Sequence, residues 1–188
     1  TLDRSSAASD VYKRQAMGRP ELDLMDLDSL RRSVETVEPD LIISAAAYTA
    51  VDQAESDEET ARQVNALGPK ALGQAAAYLN IPVVHLSTDY VFDGDKKTPY
   101  EESDPVAPVS AYGRTKLEGE RLLLEATPNA VILRTAWVYS PFGKNFAKTM
   151  LRLAETRDQV NVVADQVGNP TSAPVSYTHL RAHETRED

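Results

Sequence analysis

The sequence contains no cysteine. That excludes disulfides, thiolate-bound zinc and a cysteine nucleophile together, and it fits a reducing compartment. Excess positive charge is missing too. With 20 Lys and Arg against 29 Asp and Glu the formal net charge is −9, so no basic stripe is available to neutralise a phosphate backbone, and no nucleic-acid partner is expected. The longest mostly apolar run, Leu41 to Val51, is about half the ~20 residues of a membrane-spanning helix. The N-terminus shows no basic-then-apolar signal pattern. No membrane association is expected, and the cytoplasm is the expected location. What remains is an ordinary soluble composition, 41% hydrophobic and 26% charged over 188 residues, enough for one domain with a substantial core.

Strand-like and helix-like segments alternate, the pattern of an α/β domain with a parallel sheet. In LDSLRRSVETVEP, Leu27, Leu30, Val34 and Val37 recur at helical spacing and Pro39 ends the helix. DLIISAA reads as a buried strand. Residues 53–79 are alanine-rich and helical, and Gly68 with Pro69 is expected to divide them into two helices, because proline is accepted at a first helical position. There follow the strand PVVHLS, a loop over 93–108, a helix from Ser110 to about Glu125, the strand NAVILRTAWVY, the helix NFAKTMLRLAETR and the strand VNVVA. Continuous apolar strands imply helices on both sheet faces, a doubly wound arrangement.

The ends break this pattern. Residues 1–15 and 175–188 show neither period and read as unrelated or misread sequence, leaving 16–174 as the folded unit. In the tail, His179 and His183 lie four apart beside Glu184. The order is not the His-Glu-x-x-His of zinc hydrolases and no third ligand is apparent, so no metal site is expected. His85, inside an apolar strand, reads as a core histidine.

Ligands of open parallel sheets bind beyond the carboxyl ends of the strands. There the sequence delivers Ser87, Thr88, Asp89 and Tyr90 after one strand, Trp137 and Tyr139 near the end of another, and Ala47, Tyr48 and Thr49 after a third. SAYGRTKLEGE then sets Tyr112 and Lys116 one helical turn apart. Hydride delivered to a ketone leaves an alkoxide that needs a proton donor. A tyrosine with pKa near 10 needs tuning, and a unit charge about 4 Å away is worth roughly 4 kcal/mol at an effective dielectric of about 20, or about three pKa units. Thr88 could give the same carbonyl oxygen a second hydrogen bond. Tyr-x-x-x-Lys alone is a weak signal, and the pair could equally be a packed phenol and a solvated surface charge.

In their order, these blocks resemble the extended short-chain dehydrogenase/reductases, and within them the dTDP-4-dehydrorhamnose reductase branch. The likeness runs from about residue 19 to residue 174 through LDLMDLDSL, EPDLIISAAAYTAVDQAE, VNALGPKALGQAA, VVHLSTDYVFDG, SAYGRTKLEGE, ILRTAWVYSPFGKNFAKTML and VVADQVGNPTSAP. STDYVFDG and RTAWVYSPFGKNF are the most specific to the branch. The resemblance implies a Rossmann-like fold and hydride transfer from NADPH, or NADH, to C4 of dTDP-4-dehydro-L-rhamnose, a step of nucleotide-sugar and polysaccharide biosynthesis. It makes Tyr112 the proton donor, has Lys116 hold the nicotinamide ribose and lower the Tyr112 pKa, and has Thr88 bond the sugar carbonyl. Asp89 and Trp137 would touch the sugar. Asn145 and Phe146, with Gln166 and Thr171, would face the nucleotide part of the substrate. Asp23 and Leu24 would lie at the adenine end of the cofactor, and Ala47, Tyr48 and Thr49 along its pyrophosphate-to-ribose stretch. Against these roles, Asp23 could be a turn residue, Tyr48 and Trp137 packing aromatics, and Asn145 a helix N-cap.

One departure is physical. A dinucleotide fold needs a glycine-rich turn where the pyrophosphate meets a helix N-terminus, yet the chain has no Gly-x-x-Gly-x-x-Gly or Gly-x-Gly-x-x-Gly spacing and Gly18 stands alone. The expectation is a partial NAD(P)-binding Rossmann domain with the start of a substrate-binding region. It would lack the first βα unit and most of the C-terminal substrate lobe. Such a chain should bind NADPH poorly and turn over little, with an open edge and an uncovered apolar face at the strand 41–46. Full-length relatives also admit homodimers and magnesium, neither of which this sequence assigns. Two further readings stay open. One is a sugar-nucleotide epimerase or dehydratase with the same Tyr and Lys, although Asp89-Tyr90 does not supply the acidic pair typical of dehydratases. The other is a non-catalytic regulatory subunit similar to the beta subunit of methionine adenosyltransferase.

Overall fold

The computed structural model describes residues 15–176 and 178. Three parallel strands, β1 (Ile42–Ser44), β2 (Val83–Thr88) and β3 (Ala130–Thr135), form a sheet in that spatial order. Helix α1 (Leu27–Val37) precedes β1. Between β1 and β2 lie α2 (Val51–Ala54), α3 (Glu58–Arg62), a π-helical turn at Gln63–Leu67 and α4 (Gly68–Leu79). A 3₁₀ turn at Asp89–Val91 and helix α5 (Ala111–Ala126) connect β2 to β3. Beyond β3, β4 (Val138–Tyr139) pairs in parallel with β5 (Thr171–Ser172), and α6 (Phe146–Ala154) lies between them in the chain.

The periodic helices stand where their spacing predicts. Asp26 caps α1 by accepting the Ser29 N–H, and Leu30 and Val34 are its buried residues. The break expected at Gly68–Pro69 is absent. Helix α2 ends before Asp57 instead, and the backbone then runs on from α3 through the π turn into α4. A π turn already displaces the ordinary hydrogen-bond ladder, so the N–H that Pro69 lacks is not missed there.

NAVILRTAWVY also divides. Trp137 adopts a left-handed φ of 46°, so Val138 and Tyr139 leave the main sheet and pair with Thr171 and Ser172. VNVVA forms no strand, and Val162 and Val163 are exposed. Its β-favouring residues have no paired neighbour among the described residues, and strand preference is mostly a preference for such neighbours.

Register separates the two sheet faces. Ile42, Val83 and Ala130 share one rung, Ser44, His85 and Ile132 the next on the same side, then Ser87 and Arg134. This side packs under α4 and α5 through Ala76 and Leu123. The opposite side carries Ile43, Val84, Leu86, Val131 and Leu133, with Ile43 48% and Val131 55% exposed. Cover on both faces is therefore not what the described residues have. Helix α5 approaches its neighbours without intervening side chains: a Cβ at Gly119 would stand 2.0 Å from the Asn65 carbonyl oxygen, and one at Gly113 would stand 2.2 Å from that of Tyr90.

Candidate functional site

The carboxyl ends of β2 and β3, the segment after β1 and the start of α5 enclose a cleft of about 300 Å³, lined by Thr49, Thr88, Asp89, Tyr112, Thr135 and Trp137 among others. Its phenol is held by the way α5 begins. Ser110 Oγ accepts the Gly113 N–H at 3.1 Å, and Glu55 Oε1 accepts that of Ala111 at 2.7 Å. These bonds satisfy two of the unpaired donors of a first helical turn. The Tyr112 ring then meets Tyr90 edge-on at 5.6 Å. Thr88 closes β2, where its Oγ1 accepts the Tyr90 N–H at 3.2 Å and its hydroxyl donates to Asp89 Oδ1 at 3.1 Å. Across the cleft, the strained backbone of Trp137 is tied down by the Thr171 N–H, which its carbonyl accepts at 3.2 Å.

Burial pushes the Tyr112 phenol above its ordinary pKa; Asp89 and Tyr90 push the same way and Thr88 opposes them. Burial likewise raises the Asp89 carboxyl, against the lowering effect of the Thr88 hydroxyl and nearby backbone.

Lys116 is not a solvated surface charge, being only 1% exposed. Lys116 is not among the residues lining the cleft; its ammonium donates to the Leu86 carbonyl at 2.8 Å and lies 3.1 Å from His85 Nε2. Burial lowers its pKa to about 8, with Glu120 acting the other way. The expected lowering of Tyr112 by Lys116 is thus not met: the phenol is raised, and burial is the reason. His85, fully buried, also approaches Ser44 Oγ through Nδ1 at 3.0 Å, and burial followed by the Lys116 charge lowers it to about 3.

The remaining expected site residues divide. Thr49 reaches the cleft. Ala47 and Tyr48 are half-buried and do not line it, and the Tyr48 backbone is clamped on both sides by Asn65, which accepts its N–H at 2.8 Å and donates to its carbonyl at 3.1 Å. Asp23 makes a turn, accepting the Met25 N–H at 3.0 Å and pairing with Arg19 at 3.1 Å, and Leu24 is part of the core. Asn145 caps α6 through Lys148 N and donates to the Ser140 carbonyl. Phe146 is 66% exposed, Gln166 is exposed and Thr171 sits in β5. None of Asp23, Leu24, Asn145, Phe146 or Gln166 lines the cleft. His179, His183 and Glu184 fall outside the described residues, among which no group of three or more His, Asp or Glu could hold a metal ion. No described helix is long and apolar enough to cross a membrane.

Three supporting residues escape sequence reasoning. Asn65 also bonds Thr115 Oγ1 of α5 at 3.2 Å. Glu120 accepts from Arg134 Nε and Nη2, at 3.0 and 2.6 Å, and from the Ser87 hydroxyl at 2.5 Å. The signals available were a lone asparagine in an alanine-rich helix and an arginine inside an apolar strand. Each is the kind of polar residue that enters a core only with partners.

The RmlD substrate binding domain family matches residues 2–181. A dTDP-4-dehydrorhamnose reductase of Sinorhizobium fredii is 57% identical over 157 residues, which are 84% of this chain and 53% of that protein. That of Escherichia coli is 45% identical, over 88% of this chain and 54% of its own length. Among solved structures, dTDP-4-dehydrorhamnose reductase of Bacillus anthracis in complex with NADP superposes with a TM-score of 0.83 at 38% identity, covering 88% of this chain and 59% of that one. The chain spans about half the length of the curated relatives it matches. On the breadth of that match, this chain belongs to the RmlD substrate binding domain family.

Proposed function

We propose that this chain carries the reactive end of an NADPH-dependent ketoreductase that converts dTDP-4-dehydro-L-rhamnose to dTDP-L-rhamnose. On this reading residues 16–174 are a partial NAD(P)-binding domain together with the start of a substrate-binding region. The observation that carries it is the meeting of Thr88 and Tyr112 in one cleft at the carboxyl ends of β2 and β3, in a chain 57% identical to a protein named as that reductase.

The residues fit one end of a nicotinamide dinucleotide. Lys116 has spent two of its three N–H groups on Leu86 and His85, leaving one for a ribose hydroxyl, and Ala47, Tyr48 and Thr49 form the adjoining wall. Asp23 and Leu24 belong to the adenine end, while the glycine-rich pyrophosphate turn is absent from the sequence. When bound, the reduced nicotinamide of NADPH, or of NADH, supplies the hydride.

The sugar C4 carbonyl lies between the Tyr112 and Thr88 hydroxyls. As C4 accepts the hydride, the carbonyl π pair withdraws to oxygen and Tyr112 passes its phenolic proton to it. A raised phenol pKa suits this direction, since the proton stays on Tyr112 until the much more basic alkoxide forms. Thr88 turns its hydroxyl from Asp89 to the developing charge, a stabilisation made in the transition state. Asp89 and Trp137 orient the sugar ring, and Asn145, Phe146, Gln166 and Thr171 meet the nucleotide.

The test is a chimera in which residues 16–174 replace the matching stretch of the S. fredii reductase. It should oxidise NADPH with dTDP-4-dehydro-L-rhamnose and release dTDP-L-rhamnose, and Tyr112→Phe should lower kcat about a hundred- to ten-thousand-fold. An epimerised or dehydrated product, or turnover unchanged by Tyr112→Phe, overturns the reading.

A further inference from the structure

We propose that His85 is a positioning residue for Lys116: a neutral imidazole whose Nε2 accepts one ammonium proton while the Leu86 carbonyl accepts another, leaving a single N–H of Lys116 to meet a ligand. This inference rests on the ketoreductase reading for what that ligand is, but its geometry does not.

An ammonium has no lone pair. In the 3.1 Å contact between Lys116 Nζ and His85 Nε2, the imidazole must therefore accept. That places the ring proton on Nδ1, where Ser44 Oγ stands 3.0 Å away to receive it. Ser44 thereby selects the tautomer, as the partner of one ring nitrogen generally decides the state of the other. The two acceptors of Lys116 come from consecutive residues of β2, so the sheet itself fixes where the ammonium sits.

His85 is 0% and Lys116 1% exposed, so on the side of the ammonium that faces His85 and Leu86 water cannot replace a lost partner. The titratable groups bearing on Lys116 are His85 from β2 and Glu120 one turn further along α5. Glu120 is engaged by Arg134 from β3 and by Ser87 from β2, and it attracts the ammonium without bonding it. Lys116 is in turn the charged group that faces His85. If His85 merely filled volume, any apolar side chain of similar size would serve as well.

The experiment uses the 188-residue chain, with no substrate. Nitrogen-15 NMR of the imidazole should show a proton on Nδ1 and a free lone pair on Nε2; a proton on Nε2 overturns the proposal with no variant needed. The Lys116 titration, followed at Cε, should have its midpoint near 8 in the parent chain. H85Q, whose amide oxygen reaches the Nε2 position, should keep it. H85L, which removes the acceptor, should lower it by about one pH unit, the effect of one hydrogen bond to a charged group. An unchanged midpoint in H85L, or an equal fall in both variants, overturns the assignment. In the chimera, H85L should raise KM for NADPH more than it lowers kcat, and H85Q should restore it. The titration involves no hydride, so it can fail while the ketoreductase assay succeeds, and the reverse.

Discussion

Helices α5 and α6 begin alike. Ser110 and Asn145 each accept the backbone N–H three residues ahead, and each helix has an apolar stripe. They end differently, since α5 has eight buried residues and α6 has none. A cap and a period suffice to make a helix, but only packing from several sides can hold a lysine or a glutamate in one orientation. Lys116, Thr115 and Glu120 on α5 are fixed by partners from β1, β2, β3 and the π turn, directly or through one intermediary. On α6, Phe146 and Leu151 stand 66% and 69% exposed. The reactive end of the proposed site therefore lies on the packed helix, and the proposed nucleotide contacts lie at the open one.

Acid should reveal the packed side most strongly. His85 is held neutral in the fold with a pKa near 3, whereas the unfolded chain takes up that proton at about 6.5. As pH falls through 6.5 the unfolded state binds the extra proton first, so stability drops until about pH 3, where both states are protonated; the total is on the order of several kcal/mol. At the other end, Lys116 titrates near 8 in the fold and near 10.5 unfolded, so stability should rise with pH between those values. Urea midpoints over a pH series measure both limbs. H85Q should flatten the acid limb and leave the alkaline one, and equal acid slopes in parent and variant would remove His85 as the cause.

Next in size is a pair of leucine truncations. Leu123→Ala empties a fully buried site and should cost about 3 kcal/mol. Leu151→Ala on α6 should cost less than about 0.5 kcal/mol. Comparable losses would mean that α6 is covered in solution by something that buries Leu151.

Gly119→Ala probes the same packing from the crowded side. The added Cβ would stand 2.0 Å from the Asn65 carbonyl oxygen, a backbone atom that cannot swing away, and α5 would have to lift at a cost of about 2 kcal/mol. Because Asn65 clamps both backbone groups of Tyr48, amide exchange at Tyr48 should quicken as well. Unchanged exchange would mean that the clamp moves with the helix.

Legibility in the sequence follows the same division. Helices α1 and α5 are legible because periodicity and helix stops are local: the spacing of Leu27, Leu30, Val34 and Val37 and the stop at Pro39 act within a turn or two. The parallel sheet followed from alternation. VNVVA has strand composition without being a strand, because a strand is a relation to a neighbour that residues 160–164 do not carry in themselves. Gly68–Pro69 looks like a helix break and is none, because a π turn leaves no mark in composition. At the site, the hydroxyls of Thr88 and Tyr112 were legible from their places at a strand end and a helix start. The burial of Lys116 was not, because lysine is among the residues most often exposed. Its acceptors come from β2, thirty positions earlier in the chain.

The last comparison lies within α5 itself, which carries three ion pairs, two of which have similar geometry and opposite exposure. Glu58 receives Arg114 at 3.0 and 2.8 Å with the side chains 46% and 44% exposed; Glu120 receives Arg134 at 3.0 and 2.6 Å with the side chains 5% and 25% exposed. Distances alone predict equal worth. Water decides otherwise: at the outer pair it screens the attraction and can replace either partner, so Glu58→Gln should change stability by less than about 0.5 kcal/mol, and by less still in molar salt. At the inner pair a guanidinium losing its carboxylate keeps no comparable partner, and Glu120→Gln should cost about 3 kcal/mol with little dependence on salt. Denaturant unfolding of the two variants at low and high salt measures the difference. If Glu58→Gln proved as costly as Glu120→Gln, the outer face of α5 would also be sealed from solvent, and the contrast between a packed and an open helix would have to be drawn elsewhere.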